Sequence, residues 1–321
     1  MAFRRCYRLD SAPAAPTIRF PAPVPTPELS IVVVFHNMRR EAPRTLFSLS
    51  AAYQRGVDPA AWEVIAVDNG SQEPLSEEMV CSFGPTFHYL RHQTENVSPA
   101  SAINMAARQV RGERIAVCVD GARILSPCIL DYTSKAFTAF TDPFVCTLGW
   151  HLGPEVQNLS VPKGYGPETE DALLESVNWK EDGYELFTIA SMALSSRDGW
   201  FSPIAESNFA TLSRRTFEAL GGFDERFISP GGGLINLDFF DRACSHPSTD
   251  LVLLLGEGTF HQVHGGVATN VPMAEHPWDQ FHEEYVHLRN RDWSPHVAAE
   301  RPHYLGRVPA AARRFLPAIQ P

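Results

Sequence analysis

Short apolar runs alternate with helix-like stretches along the first half of the chain. Runs rich in β-branched residues occupy 29–35, 62–68 and 114–119, and a shorter run with two aromatic residues occupies 87–90. Continuous apolar runs of this length are typical of strands buried in a parallel sheet. The intervening stretches 42–53, 74–82 and 99–110 have helical composition, and a further helix starts at Pro127. This alternation predicts an α/β fold in which helices cover both faces of a mostly parallel central sheet.

A polar residue stands at the end of each of three predicted strands. These residues are Asn37, Asp68 and Asp120. In open α/β sheets, ligands bind beyond the carboxyl ends of the strands, so all three are expected to border one crevice. The alternative for Asp120 is a turn aspartate that precedes Gly121.

The chain divides into three predicted regions. Residues 1–28 contain six prolines between positions 13 and 27 and predict an extended arm. Residues 29–270 form the α/β domain. Residues 271–321 form an extension in which Phe281, Tyr285 and Leu288 have helical spacing, followed by a Pro-rich segment, 294–321, on the outside.

Composition narrows the class of protein. The 321 residues are 44% hydrophobic, which is enough for a sizeable core, and a net charge of −10 disfavours a general nucleic-acid binder. The six cysteines form no CxxC pair and are expected to be reduced thiols. There is no apolar run long enough to span a bilayer and no apolar stretch after the basic N-terminal residues. We therefore expect a cytoplasmic protein, or one peripheral to the inner membrane face.

Two common nucleotide-binding motifs are missing. The turn after the first strand lacks GxGxxG, and GxxxxGK[ST] occurs nowhere. A dinucleotide oxidoreductase and a P-loop phosphotransferase are therefore disfavoured. A crevice lined by carboxylates suits a base and a ribose, with the phosphates held through a cation.

Several motifs together resemble the GT-A glycosyltransferases. They are Ile-Val-Val-Val-Phe-His-Asn at 31–37, Ala-Val-Asp-Asn-Gly-Ser at 66–71, Asn96 with Ser-Ala-Ile-Asn at 101–104, Val-Asp-Gly-Ala at 119–122 and Leu-Gly-Gly-Phe-Asp-Glu at 220–225. The likeness is to the family 2 nucleotide-sugar transferases, and Val-Phe-His-Asn is also similar to the polypeptide N-acetylgalactosaminyltransferases. The resemblance spans residues 29–265. It implies a GT-A fold and a hexosyltransferase-like enzyme that moves a sugar from a UDP-sugar to a hydroxyl of a saccharide or related acceptor.

The resemblance also implies which residues bind the donor. The nucleotide-binding positions are Phe35, His36, Asn37, Asp68, Asn96 and Asp120. Asp120 matches the first aspartate of the DxD motif, but the second position is Ala122, which cannot bind a metal ion.

Two histidines near the end of the predicted domain are expected to replace the metal ligand that is missing at Ala122. Several GT-A enzymes use a late histidine as a metal ligand, so His261 and His264 are expected to join Asp120 in holding Mn²⁺ or Mg²⁺. In an extended strand, residues three apart face opposite ways, so only one should bind. His264 is preferred because it adjoins Gly265 and Gly266. The alternative is that both histidines are structural. If no metal ion binds, Arg123, which lies past the strand end, or another cation must balance the charge of the diphosphate.

The predicted catalytic residues follow a glycine triplet. Asn236 occupies the position of the usual base, and asparagine cannot accept a proton at neutral pH. Asp238 matches a later acidic position and is the predicted general base of an inverting reaction, with Glu206 as the reserve. The alternative for Asp238 is a charge that favours the helix dipole. Asn236 is also similar to the asparagine of the retaining N-acetylgalactosaminyltransferases, so both stereochemical outcomes stay open.

The last predictions concern the insert and the rival functions. Residues 152–205 are rich in Gly and Pro and are expected to cover the donor or bind the acceptor; the alternative is a surface excursion. Because Ala122 and Asn236 both depart from the family pattern, the rival function is an inactive GT-A domain that binds ligands or acts as a scaffold. A nucleotidyltransferase is disfavoured because the first loop, 36–38, is neither Gly-rich nor basic.

Overall fold

The computed structural model describes residues 26–296 and 301–317. All but the last three residues of the predicted N-terminal arm lie outside the described part of the chain. Glu28 is tied to the fold: its backbone N–H donates to the carbonyl of Ala61, and its carboxylate pairs with Arg114 at 2.8 Å.

Ten strands form one sheet in the described residues. They are β1 (Leu29–Phe35), β2 (Trp62–Asn69), β3 (Phe87–His92), β4 (Arg114–Cys118), β5 (Arg123–Leu125), β6 (Pro143–Leu152), β7 (Ala190–Met192), β8 (Ala210–Ser213), β9 (Asp250–His261) and β10 (His303–Gly306). Their order is β10-β9-β6-β8-β4-β1-β2-β3, with β5 paired to β9 and β7 to β6. The pairs within β3-β2-β1-β4 and within β6-β9-β10 are parallel, and antiparallel β8 joins the two groups. The predicted α/β class with a mainly parallel sheet is confirmed.

Nine α-helices accompany the sheet in the described residues. They are α1 (Ala42–Ser48), α2 (Glu77–Cys81), α3 (Ala100–Ala107), α4 (Ile129–Ala139), α5 (Gln157–Ser160), α6 (Pro167–Glu175), α7 (Arg214–Ala219), α8 (Ile235–Cys244) and α9 (Trp278–Arg289). The early helices are shorter than the patterns predict. Helix α1 ends at Ser48, where the hydroxyls of Ser48 and Ser50 donate to the carbonyls of Thr45 and Phe47. Such local serine bonds compete with helix continuation.

Both faces of the sheet are covered, which explains the continuous apolar runs. Along β1, Val32 and Val34 pack into one core cluster, whereas Ile31 and Val33 pack into the other. Alternate side chains of a strand point to opposite faces, so both sets are buried only when helices lie on both sides.

The C-terminal extension adds to the sheet. The predicted helix from Trp278 is confirmed as α9. Beyond it, β10 pairs in parallel with β9, and Phe315 packs against Trp150 and Phe187. The segment 294–321, which was expected on the outside, therefore contributes an edge strand to the sheet within its described residues. A strand at this edge pairs backbone groups of β9 that would otherwise be left open.

The predicted insert is anchored to the α/β unit. Strand β7 pairs with β6, and Glu170 of α6 accepts hydrogen bonds from Arg40 and from the backbone N–H of Val263 at 2.7 Å. Glu170 is fully buried. Helix α6 is therefore held against the chain that follows β9.

One of the described cysteines is not in the reduced state that the sequence predicts. Cys118, Cys128, Cys146 and Cys244 are free thiols, as expected. Cys81 is disulfide-bonded, so the expectation of a reduced thiol is wrong there. Across 26–296 and 301–317, none of the helices combines the length and apolarity that crossing a membrane requires.

Candidate active site

A cavity of about 850 Å³ opens at the carboxyl ends of the central strands. His36 follows β1, Asn69 ends β2 and Asp120 follows β4, and all three line the cavity. The cavity is also lined by residues from 193–206, from α8 and from α9. They include Leu194, Arg197, Asp198, Ile204, Glu206, Asn236, Trp278 and Phe281.

The turn that presents Asp120 is tightly packed. Gly121 donates its N–H to the carbonyl of Val34 at 2.8 Å, and the N–H of Ala122 donates to Asp120 Oδ1 at 3.0 Å. A Cβ at Gly121 would lie 2.4 Å from the ring of Phe35. Close packing therefore requires a glycine at position 121, and the ring of Phe35 packs directly against the turn.

Asp120, His261 and His264 form the Asp–His cluster. The Nε2 atoms of His261 and His264 lie 3.0 and 3.6 Å from the two oxygens of Asp120. One potential ligand atom from each residue lies within 4.8 Å of the others. Two imidazoles and a carboxylate are a donor set that suits a divalent transition metal.

Hydrogen bonds indicate the tautomer of His261. Its Nδ1 lies 2.6 Å from Gln157 Oε1, and the amide nitrogen of Gln157 donates to the carbonyl of His261. Because an amide oxygen can only accept, Nδ1 carries the proton. Burial lowers the pKa of His261 to about 4, so the ring is neutral and its Nε2 lone pair faces Asp120.

Asp120 is the charged member of the cluster. Burial alone would raise its pKa, but His264, His261 and Arg123 outweigh that effect and hold the pKa well below its usual range. A carboxylate that faces an imidazole lone pair is repelled unless a cation lies between them.

Both histidines reach Asp120, so the expectation that they face opposite ways is wrong. Strand β9 ends at His261, and the next residues leave the sheet. Asn270 Oδ1 accepts hydrogen bonds at 2.9 Å from three successive backbone N–H groups, those of residues 264–266. This turn returns His264 to the side where His261 points.

Arg123 borders the cavity beside the cluster. It begins β5, opposite His261 in the strand register, and it is only 5% exposed. Its Nε lies 3.4 Å from Asp120 Oδ2. From the sequence, Arg123 was expected to balance the charge of the diphosphate only if no metal ion binds; the pairing of β5 with β9 places it beside the cluster.

The predicted nucleotide-binding residues occupy two layers. His36 lines the cavity and its Nδ1 lies 2.8 Å from the carbonyl of Asn69. Asn37 has φ 54° and bonds to residues 71 and 72, and Asn96 accepts from the N–H of Ser98. Asp68 is buried and accepts from the N–H groups of residues 71 and 75. These three side chains therefore shape loops beside the cavity.

Asn69 was missed as a candidate. It is 1% exposed and lines the cavity, its Nδ2 donates to the carbonyl of Ser98, and its Oδ1 has no hydrogen-bond partner among the described residues. The sequence contained a signal for Asn69, because successive side chains of a strand point to opposite faces and Asn69 therefore lies on the face of β2 opposite Asp68.

The structure separates the predicted catalytic residues. Asn236 Nδ2 donates to Glu206 Oε2 at 2.7 Å, and both residues line the cavity. Asp238 instead accepts from Arg242 at 2.8 Å and from Arg289 at 2.5 and 2.7 Å. Its side chain is 3% exposed, and it is not among the residues that line the cavity. This placement argues against Asp238 as the base.

A comparison with known proteins supports the family resemblance that the motifs of the N-terminal strands predicted. Residues 30–121 match the model of the glycosyl transferase family 2. The predicted resemblance to family 2 GT-A glycosyltransferases is thereby confirmed over the segment that carries residues 35–37, Asp68 and Asp120. No curated protein matches the chain.

The solved structures that are similar to this chain include TarS of S. aureus. One crystal structure of TarS has 14% identity, covers 74% of this chain and 37% of that chain, and gives a TM-score of 0.48. A crystal structure of TarS 1–349 in complex with UDP has 14% identity, covers 74% and 60%, and gives a TM-score of 0.47. This chain thus spans less than two thirds of the length of either structure.

Proposed function

We propose that this protein transfers a sugar from a nucleotide-sugar donor, a UDP-sugar, to a hydroxyl of a saccharide or related acceptor. The observation that carries the proposal is one cavity lined by two chemically distinct groups of residues. Asp120, His264 and Arg123 belong to the first group, called here the first wall, and the hydrogen-bonded pair Glu206 and Asn236 belongs to the second group, called here the second wall. The family 2 match over 30–121 supports the assignment of the first wall to the donor.

The first wall suits a nucleotide. Asn69 Oδ1 is a buried acceptor without a partner among the described residues, and it can take an N–H of a base. His36 lies beside it, while Asp68 and Asn37 order the loop after β2. The base and ribose would bind here, with the diphosphate directed towards Asp120.

The Asp–His cluster fits a divalent cation, Mn²⁺ or Mg²⁺, and imidazole ligands favour manganese. Asp120, His261 and His264 would hold it, and when bound it supplies positive charge for the departing diphosphate. The fit rests on His261, whose Nδ1 proton is engaged by Gln157 and whose Nε2 lone pair faces Asp120 at 3.0 Å. A second-sphere partner of this kind is usual for metal-binding histidines.

The second wall suits an acceptor hydroxyl. Glu206 can accept the hydroxyl proton of an acceptor bound between the walls, if the reaction inverts. Asn236 holds one carboxylate oxygen at 2.7 Å and so orients the group. Asn236, which stands at the usual position of the base, thus positions the carboxylate of Glu206, the residue directly after the insert. Glu206, the reserve in the sequence interpretation, replaces Asp238 as the proposed base.

Two further features complete the proposal. Residues 193–205 at the end of the insert, together with Glu206 directly after it, contribute much of the second wall, called here the acceptor wall, which supports a role in acceptor binding. Trp278 and Phe281 of α9 add aromatic surface, which suits packing against a sugar ring or an apolar group. The predicted location, cytoplasmic or peripheral to the inner membrane face, stays a proposal, and the disulfide at Cys81 counts against a fully reducing compartment.

The test is a panel of nucleotide sugars with wild-type protein and Mn²⁺. Calorimetry should show binding of UDP, and at least one donor should be consumed, with UDP released and the anomeric configuration of the product read by NMR. Absence of any UDP binding would contradict the proposal. UDP binding without turnover of any donor would favour the inactive, ligand-binding alternative, to which Ala122 and Asn236 point.

A further inference from the structure

Arg123 has hydrogen-bonding capacity that the protein leaves unused. Its Nε and Nη1 atoms are buried and have no hydrogen-bond partner among the described residues. The side chain is only 7% exposed, yet Arg123 lines the large cavity. A guanidinium has five N–H donors and stays charged, so unpaired donors at a buried position are unfavourable.

Asp120 satisfies Arg123 only in part. The Nε of Arg123 is 3.4 Å from Asp120 Oδ2 without a hydrogen bond, and Asp120 is shared with His261 and His264. This contrasts with Arg289, which makes close hydrogen bonds to the two oxygens of Asp238. A structural counter-ion is expected to look like Arg289, with its donors aligned on a carboxylate.

The surroundings of Arg123 favour an anion from outside. His151, which also lines the cavity, accepts a hydrogen bond from the backbone N–H of Gln157, and its imidazole offers Arg123 no negative charge. The carboxylates Glu206 and Asp198 also line the cavity, but among the described residues the ion pair of Arg123 is with Asp120 and that of Asp198 is with Arg197. Strand β5 fixes the arginine backbone by pairing Arg123 with His261, and burial of the side chain limits the positions that the guanidinium can take.

We infer that Arg123 donates hydrogen bonds directly to an anionic oxygen of the diphosphate, and that this contact does not require a divalent cation. The inference rests on the proposed function, because it takes a nucleoside diphosphate as the ligand. In this chain, a fixed guanidinium three residues after Asp120 supplies positive charge close to the position where Ala122 removes a metal ligand.

The experiment compares UDP with uridine, which lacks the diphosphate, by calorimetry in the presence of EDTA. Wild type should bind UDP more tightly than uridine. Arg123→Gln should lower UDP affinity by about 10- to 100-fold, equivalent to about 1.4–2.8 kcal/mol, and leave uridine affinity unchanged. Arg123→Lys should retain part of the UDP preference, because a point charge replaces the planar fork.

Controls separate this contact from general effects. Arg108→Gln removes one positive charge from an exposed position at the end of α3 and should change neither affinity. Circular dichroism checks that each variant is folded. If Arg123→Gln fails to fold, the wild-type measurement still decides, because equal binding of UDP and uridine in EDTA would overturn the inference.

The remaining outcomes are also decisive. An unchanged UDP preference in folded Arg123→Gln, or an equal loss of UDP and uridine affinity, would overturn the role of Arg123 in binding the diphosphate. Wild-type protein that binds neither UDP nor uridine under any condition would instead contradict the proposed function itself.

Discussion

Asp120 and Asp238 are both carboxylates that the sequence marks as site residues, and both lie among positively charged or basic side chains. Asp120 faces two imidazoles and a loosely placed arginine, and it borders the cavity. Asp238 receives three hydrogen bonds from Arg242 and Arg289 and is almost fully buried. Asp120 can therefore still bind a ligand, whereas the oxygens of Asp238 are engaged in joining α8 to α9.

This difference shows that the partners of a carboxylate decide its role more than its place in a motif. A guanidinium uses its N–H donors to occupy carboxylate lone pairs, whereas a neutral imidazole can offer a lone pair of its own. Glu206 resembles Asp120 in this respect: it borders the cavity and has a neutral amide, that of Asn236, as its close partner.

The largest expected effect is on turnover. Glu206→Gln should lower the rate of transfer by about 10²- to 10⁴-fold, because a general base typically contributes that much. UDP affinity should be unchanged, since Glu206 lies on the acceptor wall. Glu218→Gln, at an exposed position of α7, is the matched control. If Asp238→Asn lowered kcat by this amount in a stably folded protein and Glu206→Gln did not, the comparison would be reversed.

The next effect is on stability. Asp238→Ala should lower the free energy of unfolding by about 3 kcal/mol, the lower end of the range for breaking a buried ion pair, because Arg242 and Arg289 are partly exposed. Denaturant titration measures this change, and UDP affinity at low temperature should stay the same. Asp120→Asn should show the opposite pattern, with weaker nucleotide binding and a smaller change in stability. Equal stability losses in both variants would remove the distinction.

The smallest effect concerns the metal. Manganese should raise the affinity for UDP in wild type, and either His264→Ala or His261→Ala should abolish that gain, because both rings reach Asp120. Gln157→Ala should lower manganese affinity by about 10- to 100-fold, the usual consequence of losing an outer-sphere partner. His282→Ala on α9 serves as the control. Equally tight UDP binding with manganese and with chelator would contradict metal assistance.

Much of the fold could be predicted from local pattern. The apolar runs at β1, β2 and β4 and the polar residues that follow them predicted a sheet with a crevice at its carboxyl edge, and that edge carries the cavity. Burial on both faces leaves a direct mark on a strand, because each position must be apolar. The pattern could not predict that β10 joins the sheet, since a four-residue edge strand whose first two residues are exposed has little apolar periodicity.

The candidate site was predictable only in part. Asp120 and the two histidines were identified by residue type, but their meeting depends on the pairing of β5 with β9 and on the turn organised by Asn270. Gln157 acts on His261 across 104 residues, and Arg289 reaches Asp238 across 51. No local pattern in the sequence predicts hydrogen bonds between residues this far apart along the chain.

The sequence by itself determined the alternation of strands and helices, the burial of the sheet and the polar residues at its carboxyl edge, because these follow from interactions between near neighbours and from the hydrophobic effect. Tertiary structure decided which carboxylate stays open to a ligand. Arg289 of the C-terminal helix donates hydrogen bonds to Asp238 and so occupies its oxygens. Asn236, 30 residues away, donates a hydrogen bond to Glu206, which lines the cavity. The pairing of β5 with β9 places Arg123 beside Asp120. Hydrogen bonds are directional and short, so only the folded arrangement sets their partners.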